Sequence, residues 1–528
     1  MQYHYNLIDE PWIPCIFLNG EFKYLGLKKV FSSAAEIKEI HAELPPMTAS
    51  MLFLLLAILY RTQKIETDTD WEDIWQSGSF DQKKIEDYFQ QWYQRFDLFD
   101  PDHPFYQDPL IGQRPKDLKN LDGKDLQIKG VNSLILHSSS GDAATLFDHT
   151  IEDQEPSFSL DQISRLLLMF QGFSLGGMTS ASVSADKYYN DSPHARGVVY
   201  FLRENNLFKT LLLNLIAKRE WRLSNSNHDI PAWELDDVFT EDRKKPLGMI
   251  DFLTWQSRRI KLVPYENNGV IEVKNLYVNP GLGLSDELEN PFFNIHYNEA
   301  ANGKLEKKIL RFTESKALWR DSTVILEPNS RLEKPPEALT WANSLKSENI
   351  FQGHINLSAH GLSTDPGKKK AFFYREENFD FPFAYLKNEN LRNQLNRSLD
   401  LAKDIQSQLW GALRQLAGLI LSFNADKKDG RKAAAIDEQN MMIHWGTEDF
   451  YWRELEVPFY RLIHQIPENP EQAIEDWKEL LRLIAIRSFE QAVTLSGNST
   501  SVLKASAKAK RQLLFGIRKI INPEEKEE

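Results

Sequence analysis

A single cysteine, Cys15, occurs in 528 residues. No internal disulfide can form, no CxxC zinc site is available, and a reducing cytoplasm is the natural compartment. The start, MQYHYNLIDEPW, lacks the basic-then-apolar order of a secretion signal. Long apolar runs are scarce. The most apolar, Met47 to Tyr60, stops at Arg61 and is shorter than the roughly 20 residues of a membrane span. It predicts a buried helix, and no membrane partner is expected. No GxxxxGK[ST] phosphate loop, HExxH or GxSxG occurs. His103, His137, His194 and His354 are isolated, with nothing in their spacing to mark a catalytic site. Positive charge is not in excess: 63 Lys and Arg face 76 Asp and Glu, for a net charge of −13. This counts against nonspecific nucleic-acid binding by the whole surface, and any such binding must use local patches.

What is present argues for a large folded protein. Hydrophobic residues make up 41% and aromatic residues 12%, with 13 Trp and 31 Phe, enough for a substantial core. The length implies two or more structural units, or one very large domain with an appendage. An Asn19-Gly20 turn between apolar runs predicts a hairpin. Ser33 before AAEIKEI and Thr48 before the apolar run stand where helix N-caps stand. The prolines of DPDHPFYQDP (Asp100 to Pro109) fix a turn. Its acids, Asp100, Asp102 and Asp108, suit turn and cap positions as well as a metal, and no metal or cofactor is expected.

From Gly172 to Ile216 two grammars are fused. LFKTLLLNLI reads as buried on most sides. The preceding run is long, small and polar, with Gly176, Gly177 and Gly197 free to adopt conformations closed to other residues and Ser180, Ser182 and Ser184 favouring local bonds over helix. Lys187, His194 and Arg196 are its basic groups. A loop of this length inside a compact region is either functional or disordered. Further on, WQSRRIKLVP reads as a strand carrying Arg258, Arg259 and Lys261. ENNG (Glu266 to Gly269) is a tight turn, and Lys304, Lys307, Lys308 and Arg311 form another basic cluster. Such clusters are either solvated faces or binding sites. Asp365-Pro366-Gly367, followed by Lys368, Lys369 and Lys370, marks a turn.

After about Leu386 the period becomes helical. Leu409, Ala412, Leu416, Leu419 and Phe423 form one set. Leu455, Phe459, Leu462 and Ile466 form a second. Ile474, Trp477, Leu481 and Ile484 form a third, and Val502, Ala509, Leu513, Ile517 and Ile520 a fourth. Pro458 should kink the second helix. The expected fold class is α+β, with a large mixed region over 1–386 and a four-helix bundle over 387–528. On the last helix Lys504, Lys508, Arg511 and Arg518 stand at i, i+4, i+7 and i+14. At about 100° per residue they share a face opposite Val502, Leu513 and Ile517. That face is either solvated or meets phosphate backbone.

NLIDEPWIPC, FDPDHPFYQDP, LLLMFQGFSLGG, ARGVVYFL, WQSRRIKL and ALWRDSTVIL occur in this order along the chain. As an ordered set they resemble the CasA family, the large subunit of the type I-E CRISPR Cascade complex. The resemblance implies a noncatalytic protein that recognises a short protospacer-adjacent motif (PAM) on double-stranded target DNA. It helps open the duplex for guide pairing and receives the helicase-nuclease. It further implies that the segment near Leu136, His137, Ser138 and Ser139 docks at the 5′ handle of the guide CRISPR RNA and the other Cascade subunits. By position, the loop with Ser182, Ser184, Lys187 and Arg196 falls on the PAM. Asn267, Asn268 or Lys274 takes the place of a minor-groove lysine. Thr364, Pro366 and Lys368 lie at a strand-separating wedge that here lacks the family's glutamine. The alternative is a metal-dependent nuclease or other hydrolase built on the N-terminal region.

Overall fold

The computed structural model describes residues 3–114, 117, 127–136, 157–178, 188–217, 223, 228–240, 243–300, 302–314, 316–327, 330–345, 354–364, 371–424 and 435–522. Its contacts divide into two units. The first holds 1–314, 328–347 and 356–379, and the second holds 315–327, 348–355 and 380–528. The second unit is thus discontinuous in sequence.

In the first unit the apolar run becomes the helix Pro45–Gln63, with proline in its first turn where a missing N–H costs nothing. By length and composition it passes as a membrane span, but 89% of that window is buried inside the protein. It starts earlier than Thr48, whose hydroxyl accepts a hydrogen bond from the Ala42 N–H at 3.1 Å. The helix Leu160–Phe173 packs against it. The segment after Ser33 is not helical. Ile37–Ile40 is a strand paired with Ile13–Phe17, which also pairs with Phe22–Leu25 around the Gly20 turn. Burial of Ile37 and Ile40 on that sheet outweighs the helical tendency of AAEIKEI.

Three further sheets carry the expected binding segments. Arg258–Asn267 pairs antiparallel with Val270–Pro280, and Lys129–Gly130 and Phe158–Ser159 add to the second of these strands. Val199–Arg203 pairs with His354–Thr364, which lies beside Ala371–Pro382. Gly177–Met178 and Tyr188–Tyr189 close a two-stranded ribbon. LFKTLLLNLI is buried as expected, as the helix Leu207–Leu213 and the residues that follow it.

In the second unit the helical periodicity holds but the count does not. Between 387 and 528 five helices are described, Glu389–Asn424, Ala435–Trp445, Thr447–Gln465, Pro470–Leu495 and Thr500–Ile521, and the short helices Ser322–Leu326 and Ala384–Lys387 belong to the same unit. Among the five, the unforeseen Ala435–Trp445 buries only Met442 and Trp445, too weak an apolar stripe to show in the sequence. The helix Thr447–Gln465 runs on through Pro458. Phe459 from this helix stacks on Trp319, with ring centroids 4.6 Å apart, so residues from 315–327 belong to this core.

Candidate nucleic-acid interface

The loop that carries Ser182, Ser184 and Lys187 is anchored on both sides. The ribbon Gly177–Met178/Tyr188–Tyr189 forms its base, while Ser182, Ser184 and Lys187 lie outside the described residues. After the ribbon the chain turns inward. Ser192 and His194 are buried, the His194 ring stacks on Phe53 at 4.1 Å, and its Nδ1 pairs with the Asn290 side-chain amide at 3.0 Å. Burial pushes the imidazole down to about 3, so it stays neutral. The glycines are explained by space. Gly176 and Gly197 do not have positive φ. A Cβ on Gly176 would lie 2.8 Å from the Tyr189 carbonyl oxygen, and one on Gly197 would lie 2.6 Å from the Phe293 ring.

Arg196 emerges on an open cleft of about 780 Å³ that is also lined by Asn190, Asp191, Asp286, Lys307 and Arg311. The Arg196 guanidinium donates to Asp191 at 2.7 Å, so that pair brings no net charge. The other charged groups on the cleft are Lys307, Arg311 and Asp286. Lys307 donates to the carbonyl oxygens of Asp286 and Leu288, the second at 3.1 Å. Desolvation lowers its pKa. Desolvation and then the nearby Arg196 also lower that of Arg311. Asp286, Glu289 and Glu287 act in the opposite direction on Lys307, and Asp191 does so on Arg311. Lys304 and Lys308, of the same sequence cluster, are exposed.

The Arg258-Arg259 cluster is neither a solvated face nor a binding site. Both side chains are fully buried. Arg258 lies over the Tyr189 ring at 4.7 Å and donates to the Leu175 carbonyl at 3.1 Å. Burial drops its pKa to about 10. Arg259 donates to Asp108 at 2.6 Å and to Asp117 at 2.8 Å, and Arg114 bridges Asp108 at 3.0 Å and Asp237 at 2.7 Å. Asp108 is therefore taken up by two arginines. Asp100 accepts from the backbone N–H groups of Asp102 and His103, at 3.1 and 2.7 Å, as a turn residue does.

The hairpin turns through Asn268 and Gly269, whose φ values of 51° and 82° are those of a tight primed turn. Asn267 and Asn268 are exposed at its tip. Lys274 sits at a register shift between Val273 and Asn275, and its ammonium lies 4.5 Å from the centre of the Tyr265 ring. Such a bulge re-aims a side chain relative to the sheet. Gly130 pairs with the neighbouring Asn275, and the half-buried Leu136 follows six residues on. His137, Ser138 and Ser139 lie outside the described residues, as do Pro366 and Lys368. Thr364 ends the strand before those two.

The Tyr189 hydroxyl donates to the Val278 carbonyl at 3.3 Å and receives Lys129 at 3.5 Å. The loop base, the Lys274 hairpin and the start of the Leu136 segment are thus tied together. Val199–Arg203, which leaves the loop, pairs with the strand ending at Thr364, His360 opposite Val199. The first unit therefore joins segments that lie far apart in sequence.

The last helix exposes Lys504, Lys508, Arg511 and Arg518. Lys504, Lys508 and Arg511 form no ion pair among the described residues, whereas Lys510 pairs with Glu490 at 2.7 Å. Phe515, 72% exposed, falls within the same face. Sequence reasoning passed over it, although its place four residues after Arg511 was there to be read. In the sequence Lys307 and Arg311 are only part of a basic cluster, since nothing local distinguishes a cleft wall from a solvated strand.

Residues 6–488 match the profile of the family described as CRISPR-associated protein Cse1. The chain belongs to this family. The chain is 28% identical over 526 residues to CRISPR-associated protein CasA/Cse1 of Thermus thermophilus, covering 96% of each. Its fold is similar to that of Cse1 from Acidimicrobium ferrooxidans, with TM-score 0.80, 21% identity and 99% of both chains covered. It is also similar to a chain of a structure described as a CRISPR RNA-guided surveillance complex, with TM-score 0.74, 17% identity, and 97% of this chain and 99% of that one covered. The resemblance drawn from the ordered sequence segments is thereby shown, as is the mixed fold with a helical C-terminal region.

Proposed function

We propose that this Cse1 family member is the noncatalytic large subunit of a type I-E Cascade. In this reading it recognises the PAM on double-stranded DNA, helps open the duplex, and receives the helicase-nuclease. The observation that carries the reading is the joining, in one unit, of the loop base, the Lys274 hairpin and the strand leading to residues 365–370. Recognition of a duplex followed at once by its opening needs those elements to be fixed to each other. A relative forms part of a CRISPR RNA-guided surveillance complex, which supports guide RNA and other Cascade subunits as partners.

Small residues in the loop 179–187 let backbone approach a narrow groove, and Lys187, Lys274, Lys307 and Arg311 supply local positive charge. Minor-groove readout separates A·T from G·C and little else, so several related PAMs are accepted. Lys187→Ala, or Lys307→Ala with Arg311→Ala, lowers binding to PAM-bearing duplex by roughly tenfold. Binding to a fully single-stranded complementary target survives, because guide pairing then needs no opening. Equal losses on both targets in a filter-binding assay overturn the PAM assignment.

Deleting residues 138–141 loosens the subunit from the guide-bearing complex and leaves its fold intact. Stoichiometric retention after gel filtration at low concentration speaks against that docking role. Incubation of the purified protein with DNA and Mg²⁺ or Mn²⁺ leaves the DNA whole; robust cleavage without partners instead supports the hydrolase reading.

The exposed face of Thr500–Ile521 combines phosphate-seeking cations with Phe515. This composition suits an unpaired strand, whose bases offer stacking surfaces that a duplex conceals. It supports a role in holding the displaced strand.

A further inference from the structure

His354, Asp380 and His464 are far apart in sequence but converge within the second unit. One ligand atom from each lies within 4.8 Å of the other two. His354 begins the strand His354–Thr364, Asp380 lies near the end of Ala371–Pro382, and His464 is in the last turn of Thr447–Gln465. The imidazole rings of His354 and His464 have centroids 5.0 Å apart, inclined at 42°. His464 Nε2 stands 3.4 Å from Asp380 Oδ2.

We propose that these three side chains bind a divalent first-row transition metal, with Zn²⁺ the best match. Two imidazoles and one carboxylate are a donor set that such ions take, and hard cations such as Mg²⁺ disfavour it. With metal–ligand bonds of about 2.0–2.2 Å, adjacent ligands of a tetrahedral ion stand about 3.3–3.5 Å apart. The Nε2–Oδ2 separation of 3.4 Å already has that value. His354 is exposed, so rotation about its side-chain torsions brings its ring in without disturbing the core. Asp380 and His464 are 49% and 32% exposed, which leaves the remaining coordination position open to water. The carboxylate offsets one of the two positive charges.

The three ligands come from two strands and a helix, so the ion acts as a cross-link. Asp380 and His354 belong to the two strands that flank residues 365–370. Metal binding fixes the ends of those strands to the helix Thr447–Gln465 and stabilises the second unit by mass action. The inference stands independently of DNA binding. The sequence gave no sign of it, because His354, Asp380 and His464 lie far apart along the chain.

The test uses the full chain, stripped with a chelator and titrated with Zn²⁺ by calorimetry, with Co²⁺ as a spectroscopic stand-in. One equivalent binds, the melting temperature rises, and Co²⁺ shows the visible bands of a four-coordinate N/O site. Asp380→Asn, His464→Gln and His354→Gln each weaken binding by at least about tenfold. Asp380→His keeps it, since a third imidazole replaces the carboxylate. All variants melt like the parent in chelator, because the side chains are partly exposed. His354→Gln, at an exposed position, keeps the test decisive if another variant is poorly folded. Absence of saturable binding by the parent chain overturns the proposal. So does binding that all three substitutions leave unchanged, which would make the trio a surface His–Asp ion pair.

Discussion

Changing Lys504, Lys508, Arg511 and Arg518 together to Glu lowers the DNA affinity of the assembled complex by about a hundredfold at moderate salt. A phosphate deprived of its protein cation keeps its counterion instead of releasing it. The slope of log affinity against log salt therefore flattens by about 0.7 per phosphate of an unpaired strand and by about 3 in all. All four side chains are exposed. Val502, Leu513 and Ile517 remain buried on the opposite side of the helix, so the fold is unaffected. Phe515→Ala separates stacking from charge. It costs about 1–3 kcal/mol on single-stranded DNA and leaves the salt slope in place. A quadruple variant with the parent's affinity and slope, measured by fluorescence anisotropy over a salt series, would falsify the assignment of this face to phosphate.

Arg259→Ala strongly destabilises the first unit, by about 3–5 kcal/mol. The cost does not come from the removal of favourable bonds as such. Asp108 and Asp117 have fully buried side chains, and the substitution leaves Asp117 without its guanidinium and Asp108 with Arg114 alone. An uncompensated buried carboxylate is what makes the change severe. The first thermal transition moves down by on the order of 10 °C. Restoring neutrality with Asp117→Asn in the same chain recovers part of the loss. A shift of less than a degree would mean that water reaches these carboxylates.

The same network has a pH signature at its edge. Burial works to raise the Asp237 pKa, but hydrogen bonds from Arg114 and the Phe239 backbone hold it down to about 2. A depressed carboxyl contributes stability above its unfolded value, near 4, and loses it as pH falls through the folded value. Arg114→Gln therefore flattens the acid limb of stability between about pH 4 and 2, read by melts across that window.

Periodicity and turn chemistry found the long helices and the two hairpin turns, but missed the strand Ile37–Ile40 and the helix Ala435–Trp445. Apolar residues at helical spacing identified the buried faces at Leu455, Trp477 and Val502. Asn-Gly signals located the turns at Gly20 and Gly269, because few residues tolerate positive φ there. The ordered segments gave the family.

Tertiary structure decided what the charges do. Arg258, Arg259 and Lys261 look alike in sequence. Yet two lie inside the protein, while Lys261 reaches the Pro109 carbonyl at 3.1 Å. A guanidinium can be buried only where carboxylates, carbonyls and aromatic faces are brought to it from distant segments, and local sequence carries no record of them. Gly176 and Gly197 teach the same lesson for space. Their small size answers to Tyr189 and to the distant Phe293, not to their own dihedral angles. His354, Asp380 and His464 complete the contrast. Each is unremarkable along the chain, and only the meeting of two strands with a helix makes them a set of ligands.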